Sequence, residues 1–316
     1  MKKAIHIIKN RSDIGAGTRG SDLGIDAMEV AAINKGNHFF KEHPHIDVPT
    51  RNEVIYENDV FPFAKHIKEI YQQCKQVAST VEDSILQNHF PIVFSGDHSS
   101  AIGTISGIKS AFPDRTLGVF WIDAHTDIHS PYTTPSGNMH GMSLAAVLNE
   151  DHEKGRINSI DDETLRYWNK LKNIGTSDKK LIPAHLIYFG VRDVELPEVS
   201  YMAVQSIKNY TVDEVRQRTV ADCVHQALEK LKKCDMLYVS FDVDSMDSEL
   251  ISNGTGTPVP RGFTQSEVTE ILQGILHSNK VVCLEIAEVN PLLDKKGNKM
   301  AEVAFEILED LIPLLN

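Results

Sequence analysis

Six short apolar runs, AIHII, PIVFSG, LGVFWID, LIYFGV, MLYVSFDVD and VVCLEIAEV, are spread over the 316 residues of the chain. Each is rich in β-branched or aromatic residues and predicts a strand. Residues 64–87, 101–111, 212–232, 265–276 and 301–315 instead repeat their apolar positions with a helical period. Strands alternating with helices predict βαβ units and a mostly parallel, two-sided sheet, an α/β fold. The rhythm runs to the C-terminal end without a low-complexity linker, heptad array or internal repeat, so residues 1–316 are expected to form one domain. Residues 148–183 are more polar, interrupt the rhythm and read as an inserted loop with short helices.

Charge and composition narrow what such a sheet serves. A formal net charge of -12 leaves no broad basic surface to neutralise phosphates, so nucleic acid is not an expected partner. No apolar run approaches the roughly 18 residues of a membrane span, so no membrane partner is expected. The opening MKKAIHIIKNRSDIG has a positive tip but only a short apolar stretch interrupted by His6, too little for a signal peptide. Cys74, Cys223, Cys234 and Cys283 show no CxxC spacing and read as ordinary thiols of a reducing compartment. A cytoplasmic location is expected.

Ligands of open α/β sheets bind beyond the carboxyl ends of the strands, so the residues that follow the apolar runs carry the most information. In WIDAHTDIH, Asp123, His125 and Asp127 are spaced i, i+2, i+4, and in extended chain all three share one face. VSFDVDSMD adds Asp242 and Asp244 after another run, and IVFSGDHSS adds Asp97 and His98 where a strand should give way to a helix. A single strand-end aspartate is usually a cap or turn residue. Four or more carboxylates at one sheet edge, however, repel one another unless a cation neutralises them. Asp123, Asp127, Asp242 and Asp244 bring four negative charges, His98 and His125 ligate as neutral imidazoles, and two divalent ions balance the set. Carboxylate and imidazole without thiolate favour manganese. Two such ions about 3.5–4 Å apart lower the pKa of a bridging water toward neutrality, which predicts metal-assisted hydrolysis by a bridging hydroxide.

The stretches SGDHSS, DAHTD, SGNMHGM, SFDVDSMD, GTGTPVPRGFT and EIAEVNP, spread from about Ser95 to Pro291, together resemble the ureohydrolase family of arginases, agmatinases and formiminoglutamases. DAHTD with SGNMHG is most similar to the arginases among them. The resemblance implies a three-layer α/β/α sandwich with a mostly parallel sheet of about eight strands, a binuclear manganese centre with two Mn2+ per subunit, and a homo-oligomer, trimer or hexamer. It assigns His98, Asp123, His125, Asp127, Asp242 and Asp244 to the ions, the six that the charge count selects. It also places His140 and Glu288 in the site. A guanidinium is planar, permanently charged and a fork of donors, so Glu288, on the inward face at a strand end, is expected to anchor it. Asp127 is expected to pass on the nucleophile's proton, and His140 to act as proton shuttle or general acid for the departing amine. Glu285, out of phase with Glu288, reads either as a support of the site or as a structural ion pair.

In arginases the loops after the metal motifs hold the substrate's α-carboxylate and α-ammonium. By motif the matching positions are His129, Thr134, Ser136 and Asn138 of DIHSPYTTPSGN and Glu195 and Glu198 of RDVELPE. His129 and Glu195 depart from the family's usual asparagine and aspartate. Ser248 replaces a usual proline before GTGTP, which predicts a local loop change. The reaction expected is hydrolysis of the guanidino group of L-arginine, a small-molecule substrate, to L-ornithine and urea. Agmatinase, or another guanidino- or formimino-acid ureohydrolase, is the alternative within the class. Outside it stand a catalytically inactive metal-binding relative and a DxD-type phosphotransferase built on YVSFDVDSM, which leaves DAHTD and SGNMHG unexplained.

Overall fold

The computed structural model describes residues 3–315; Met1, Lys2 and Asn316 lie outside them. The strands are β1 (Ala4–Asn10), β2 (His45–Asp47), β3 (His89–Ser95), β4 (Leu117–Ile122), β5 (Leu186–Phe189), β6 (Lys208–Tyr210), β7 (Met236–Asp242) and β8 (Val281–Ala287). Among the described residues these eight form one sheet in the order β2-β1-β3-β8-β7-β4-β5-β6, with every neighbouring pair parallel.

Successive side chains of a strand point to opposite faces, and here both faces are apolar. In β4, Phe120 and Ile122 enter one hydrophobic layer while Val119 and Trp121 enter the other; in β7, Leu237, Val239 and Phe241 alternate with Met236 and Tyr238. Helices Gly24–Asn34, Val220–Lys230, Gln265–Leu276 and Lys299–Leu315 cover the first face. Ile67–Leu86, Ala101–Ala111, Ser143–Leu148 and Asp162–Lys172 cover the second. The expected three-layer α/β/α sandwich is the observed one.

Several details differ from expectation. Edge strands β2 and β6 are only three residues each, HID and KNY, and neither is an apolar run. The helix expected over 212–232 is two helices, Val212–Arg218 and Val220–Lys230. Thr219 separates them at φ 101°, and its side chain caps the second by accepting from the Asp222 N–H at 3.2 Å. The helix expected from 64 begins at Ile67, after His66 at φ 53°.

The polar stretch 148–183 contributes to the core. Its helix Asp162–Lys172 is capped by Asp161, which accepts from Thr164 N–H at 2.7 Å, and sends Tyr167, Trp168 and Leu171 into the second hydrophobic layer. Trp168 is fully buried, and its indole N–H donates to Asp151 Oδ1 at 2.7 Å. The four cysteines are free and buried, and among the described residues no helix is long and apolar enough to cross a membrane.

The chain passes from β3 to β4 across the two sheet positions that β8 and β7 later fill. The carboxyl ends of these four adjacent strands therefore open onto one crevice, where the polar clusters emerge. Because Trp168 joins the segment to the core, Trp168→Ala should destabilise the protein by about 3–5 kcal/mol. Denaturant unfolding measures this, and a loss below about 1 kcal/mol would mean that the segment does not support the fold.

Candidate metal centre and cavity

Strand β4 ends at Ile122, and the chain then turns instead of continuing extended. Asp123 N–H still donates to Phe189 O of β5 at 3.0 Å, but Asp127 sits in the left-handed region at φ 52°. The alternation expected for Asp123, His125 and Asp127 is thus not what brings them together. A fixed loop does it: Ala124 N–H donates to Asp244 Oδ1 at 3.0 Å, and Asp127 O accepts from Leu144 N–H at 2.8 Å. Asp242 closes β7, and its Oδ1 accepts from Asp244 N–H at 2.8 Å. After β3, Asp97 caps the turn that carries His98, accepting from Ser99 N–H at 2.8 Å and Gly15 N–H at 2.9 Å. Asp97 is thus a capping residue and His98 the group aimed at the crevice.

The six expected ligands converge. His98 Nδ1 lies 3.1 Å from one carboxylate oxygen each of Asp123, Asp127 and Asp242. His125 Nδ1 lies 3.0 Å from Asp244 Oδ2 and 3.5 Å from Asp123 Oδ1. Asp123 therefore presents one oxygen to each histidine and belongs to both ligand groups, His98–Asp123–Asp127 and Asp123–His125–Asp244. The His98 ring is fixed from behind by Ser240 Oγ, 2.6 Å from Nε2, and stacks on Trp121 with centroids 4.0 Å apart. Thr257 of the GTGTP loop donates to Asp244 Oδ2 at 3.1 Å.

Electrostatics mark the cage as incomplete without cations. Burial raises the carboxyl of Asp127 to about 6, reinforced by the charge of Asp123 and opposed by His98. Burial and neighbouring aspartates likewise push Asp242 and Asp244 upward. Burial also opposes charging of His98 and His125, but the surrounding carboxylates outweigh it and raise both. Protons thus substitute for the positive charge that the cage requires. His98 Nδ1 and Asp123 Oδ2 are buried without a hydrogen-bond partner, facing each other at 3.1 Å. An ion between them satisfies both, so the donor set fits divalent cations of the oxygen- and imidazole-binding kind.

His140 and Glu288 stand together beside the cage. His140 Nδ1 is 3.0 Å from Glu288 Oε1, which also accepts from His98 N–H at 3.0 Å, while Glu288 Oε2 is buried without a partner. Burial opposes protonation of His140, but Glu288, Asp127 and Asp97 raise its pKa to about 9. Glu288 lies one residue past β8 at φ 69° and is 1% exposed. It therefore stands just beyond the strand end, held between His140 and the backbone of His98. Among the described residues Glu285 forms no ion pair: it accepts from Ser95 Oγ at 2.7 Å, Ser100 Oγ at 3.3 Å and Tyr238 OH at 2.8 Å.

A cavity of about 280 Å³ opens onto the cage at His125, Asp127, Asp242 and Asp244. His129, Thr134, Ser136, Asn138, Glu195 and Glu198 line it as well, so all the expected substrate-binding residues except Glu288 reach it. Gly137, at φ 77°, turns this loop where a Cβ would come 2.1 Å from Pro62 O. His129 and Glu195 contact each other, with Nε2 to Oε2 at 2.9 Å.

A model of the arginase family matches residues 3–313. The chain belongs to the arginase family. It is 30% identical over 314 residues to the arginase of Bacillus subtilis (strain 168), covering 99% of this chain and 98% of that one. The structure of Bacillus caldovelox arginase is similar with a TM-score of 0.84 and 31% identity, covering 98% of each chain. Formimidoylglutamase of Bacillus subtilis, at 18% identity and a TM-score of 0.74, covering 99% of this chain and 87% of that one, shares the fold.

Arginase-family membership implies a binuclear metal centre, and the two ligand groups are clusters able to bind metal. Sequence reading missed Ser240, Thr257 and Arg192. Ser240 was detectable, since it lies two residues before Asp242 and so on the same strand face. Arg192 carried no local signal; its guanidinium donates to the carbonyls of Gly190, Asp244, Ser245, Met246, Val259 and Pro260, tying three loops together beneath the site. Asp127→Ala and Asp244→Ala should each lower the metal retained after dialysis from about two ions per chain to one or fewer. Elemental analysis measures this, and full retention in both variants would remove these residues from the cage.

Proposed function

We propose that the protein hydrolyses L-arginine to L-ornithine and urea at a binuclear manganese centre held by His98, Asp123, His125, Asp127, Asp242 and Asp244. The observation that carries arginine as substrate is the state of the donors at the cavity mouth. Thr134 Oγ1 accepts from Ser136 N–H at 3.3 Å and Gly137 N–H at 2.9 Å, and Ser136 Oγ accepts from Asn138 N–H at 3.1 Å. Both hydroxyls act there as acceptors, so their O–H groups remain available to donate. Lys65 Nζ donates to Asn138 Oδ1 at 3.0 Å, leaving the amide N–H2 available too. Three neutral donors suit an α-carboxylate, which agmatine lacks. Glu195 and Glu198 suit the α-ammonium.

When bound, the two ions supply Lewis-acid chemistry that makes water a nucleophile near neutral pH. The protein's own groups do the rest. Glu288 lies outside the cavity lining, so its part requires a side-chain shift that brings the buried, unpartnered Oε2 to a guanidinium N–H and fixes the planar group above the cage. Asp127 takes the proton released as water adds to the central carbon. His140, with Nδ1 against Glu288 and a raised pKa, hands a proton from Nε2 to the nitrogen that becomes ornithine's amine as its bond to that carbon breaks. As the urea carbonyl forms, the remaining hydroxyl proton of the added water leaves to solvent and the proton on Asp127 restores His140, so one water is consumed and urea, a neutral amine and one net proton are released.

The full-length likeness to bacterial arginases supports this reading. We further propose that the chain acts as a single domain, in the cytoplasm, as a homo-oligomer of three or six subunits. With manganese supplied, arginine should yield urea, while agmatine, guanidinobutyrate and formiminoglutamate should turn over at least about tenfold more slowly; turnover of one of these without urea from arginine would reject the choice of substrate. A protein that binds metal but turns over none of them is the inactive relative. Glu288→Ala should retain both ions yet lose about 10²-fold or more in kcat/KM, whereas full activity would remove it as the guanidinium anchor.

A further inference from the structure

At the mouth of the cavity, outside the six-residue cage, stands another set of ligand-type side chains. We infer that His129, Glu195 and Glu198 form a third divalent-cation seat, which closes the cavity to substrate when filled. The seat stands on its own geometry; its inhibitory effect rests on the arginine reading above.

The ligand atoms of the three residues all lie within 4.8 Å of one another. His129 Nε2 is 2.9 Å from Glu195 Oε2 and 3.5 Å from Glu198 Oε2. A tetrahedral ion with ligand bonds of about 2.0–2.2 Å needs ligand atoms about 3.3–3.6 Å apart. The Glu198 contact meets that spacing, and Glu195, whose side chain is 55% exposed, has room to open to it.

The two buried ligands are braced as metal ligands are. His129 Nε2–H donates to Glu195 Oε2 at 2.9 Å, and Nδ1, 3.1 Å from Thr133 Oγ1, can carry the proton instead when an ion takes the Nε2 lone pair. Glu198 Oε1 accepts from the Thr126 hydroxyl, and Oε2 accepts from Glu195 N–H at 2.8 Å. Glu195 is the N-cap of helix Leu196–Gln205 and Glu198 its third residue, so the capping box holds Glu198 and brings both carboxylates to the same helix start. Capping takes one lone pair of Oε2 and leaves another. Among the described residues neither glutamate has a lysine or arginine within ion-pair distance; His129 is the partner of both.

One imidazole and two carboxylates, with the exposed side open for water, suit a first-row transition ion. Such sites hold zinc more tightly than manganese. The seat shares no residue with the cage, and its three residues line the same cavity as Thr134, Ser136 and Asn138. A cation there occupies the place proposed for the substrate's ammonium and repels it, so inhibition competes with arginine.

The test loads the protein with manganese, dialyses it against rising zinc, and counts both metals per chain in the unmodified protein, H129N and E195Q. Because zinc can also replace manganese in the cage, the total metal is the readout: the unmodified protein should rise from about two to about three ions per chain, and both variants should need at least tenfold more zinc for the same rise. E195Q changes an exposed side chain and so guards against misfolding of H129N. A total that stays at about two ions per chain, or that rises equally in all three proteins, overturns the seat. In the kinetic arm, zinc should raise the KM for arginine of the unmodified protein at unchanged kcat; zinc gain without a change in KM overturns the inhibitory role. Failure to form urea without zinc would count against the arginine reading, and the metal count would still decide the seat.

Discussion

Mutual repulsion among four buried aspartates is the constraint on which the rest of the structure depends. Asp123, Asp127, Asp242 and Asp244 lie at the carboxyl edge of a sheet whose two faces are sealed by apolar layers. That setting removes the water that would otherwise screen them. Only a rigid frame can hold such a group together, and only cations can make it favourable. The frame is visible in the two-sided sheet, in the loop bonds that fix Asp127 and Ala124, and in Arg192, which binds six carbonyls under the site. The need for cations is visible in the unpartnered His98 Nδ1 and Asp123 Oδ2.

The central strands were legible in the sequence because burial on both faces makes them continuous apolar runs. β2 and β6 were not, since three residues at a sheet edge carry no periodic signal. The ligand set was legible for a different reason: charge balance selects residue types and is indifferent to backbone path. The six residues it selects converge in the structure although Asp123, His125 and Asp127 lie on a turn and not on extended chain. Positive φ at Asp127 and Glu288 is a tertiary outcome, imposed on residues with no strong preference for it, and no local pattern announces it.

His129, Glu195 and Glu198 show where one sequence signal holds two meanings. RDVELPE is at once a helix start, through the Glu195–Glu198 capping box, and a pair of carboxylates facing a cavity. The contact of His129 with Glu195 could not be read from positions 66 residues apart in sequence. It arises because the loop after β4 and the loop after β5 leave adjacent strands at the same sheet edge.

The central claim, that the carboxylate cage is a two-ion site bridged by Asp123, is tested most directly by anomalous diffraction from crystals grown with manganese. Two peaks should appear. One should lie beside His98 and Asp127 and the other beside His125 and Asp244, with Asp123 between them. A single peak, or two ions with Asp123 bound to neither, would contradict it.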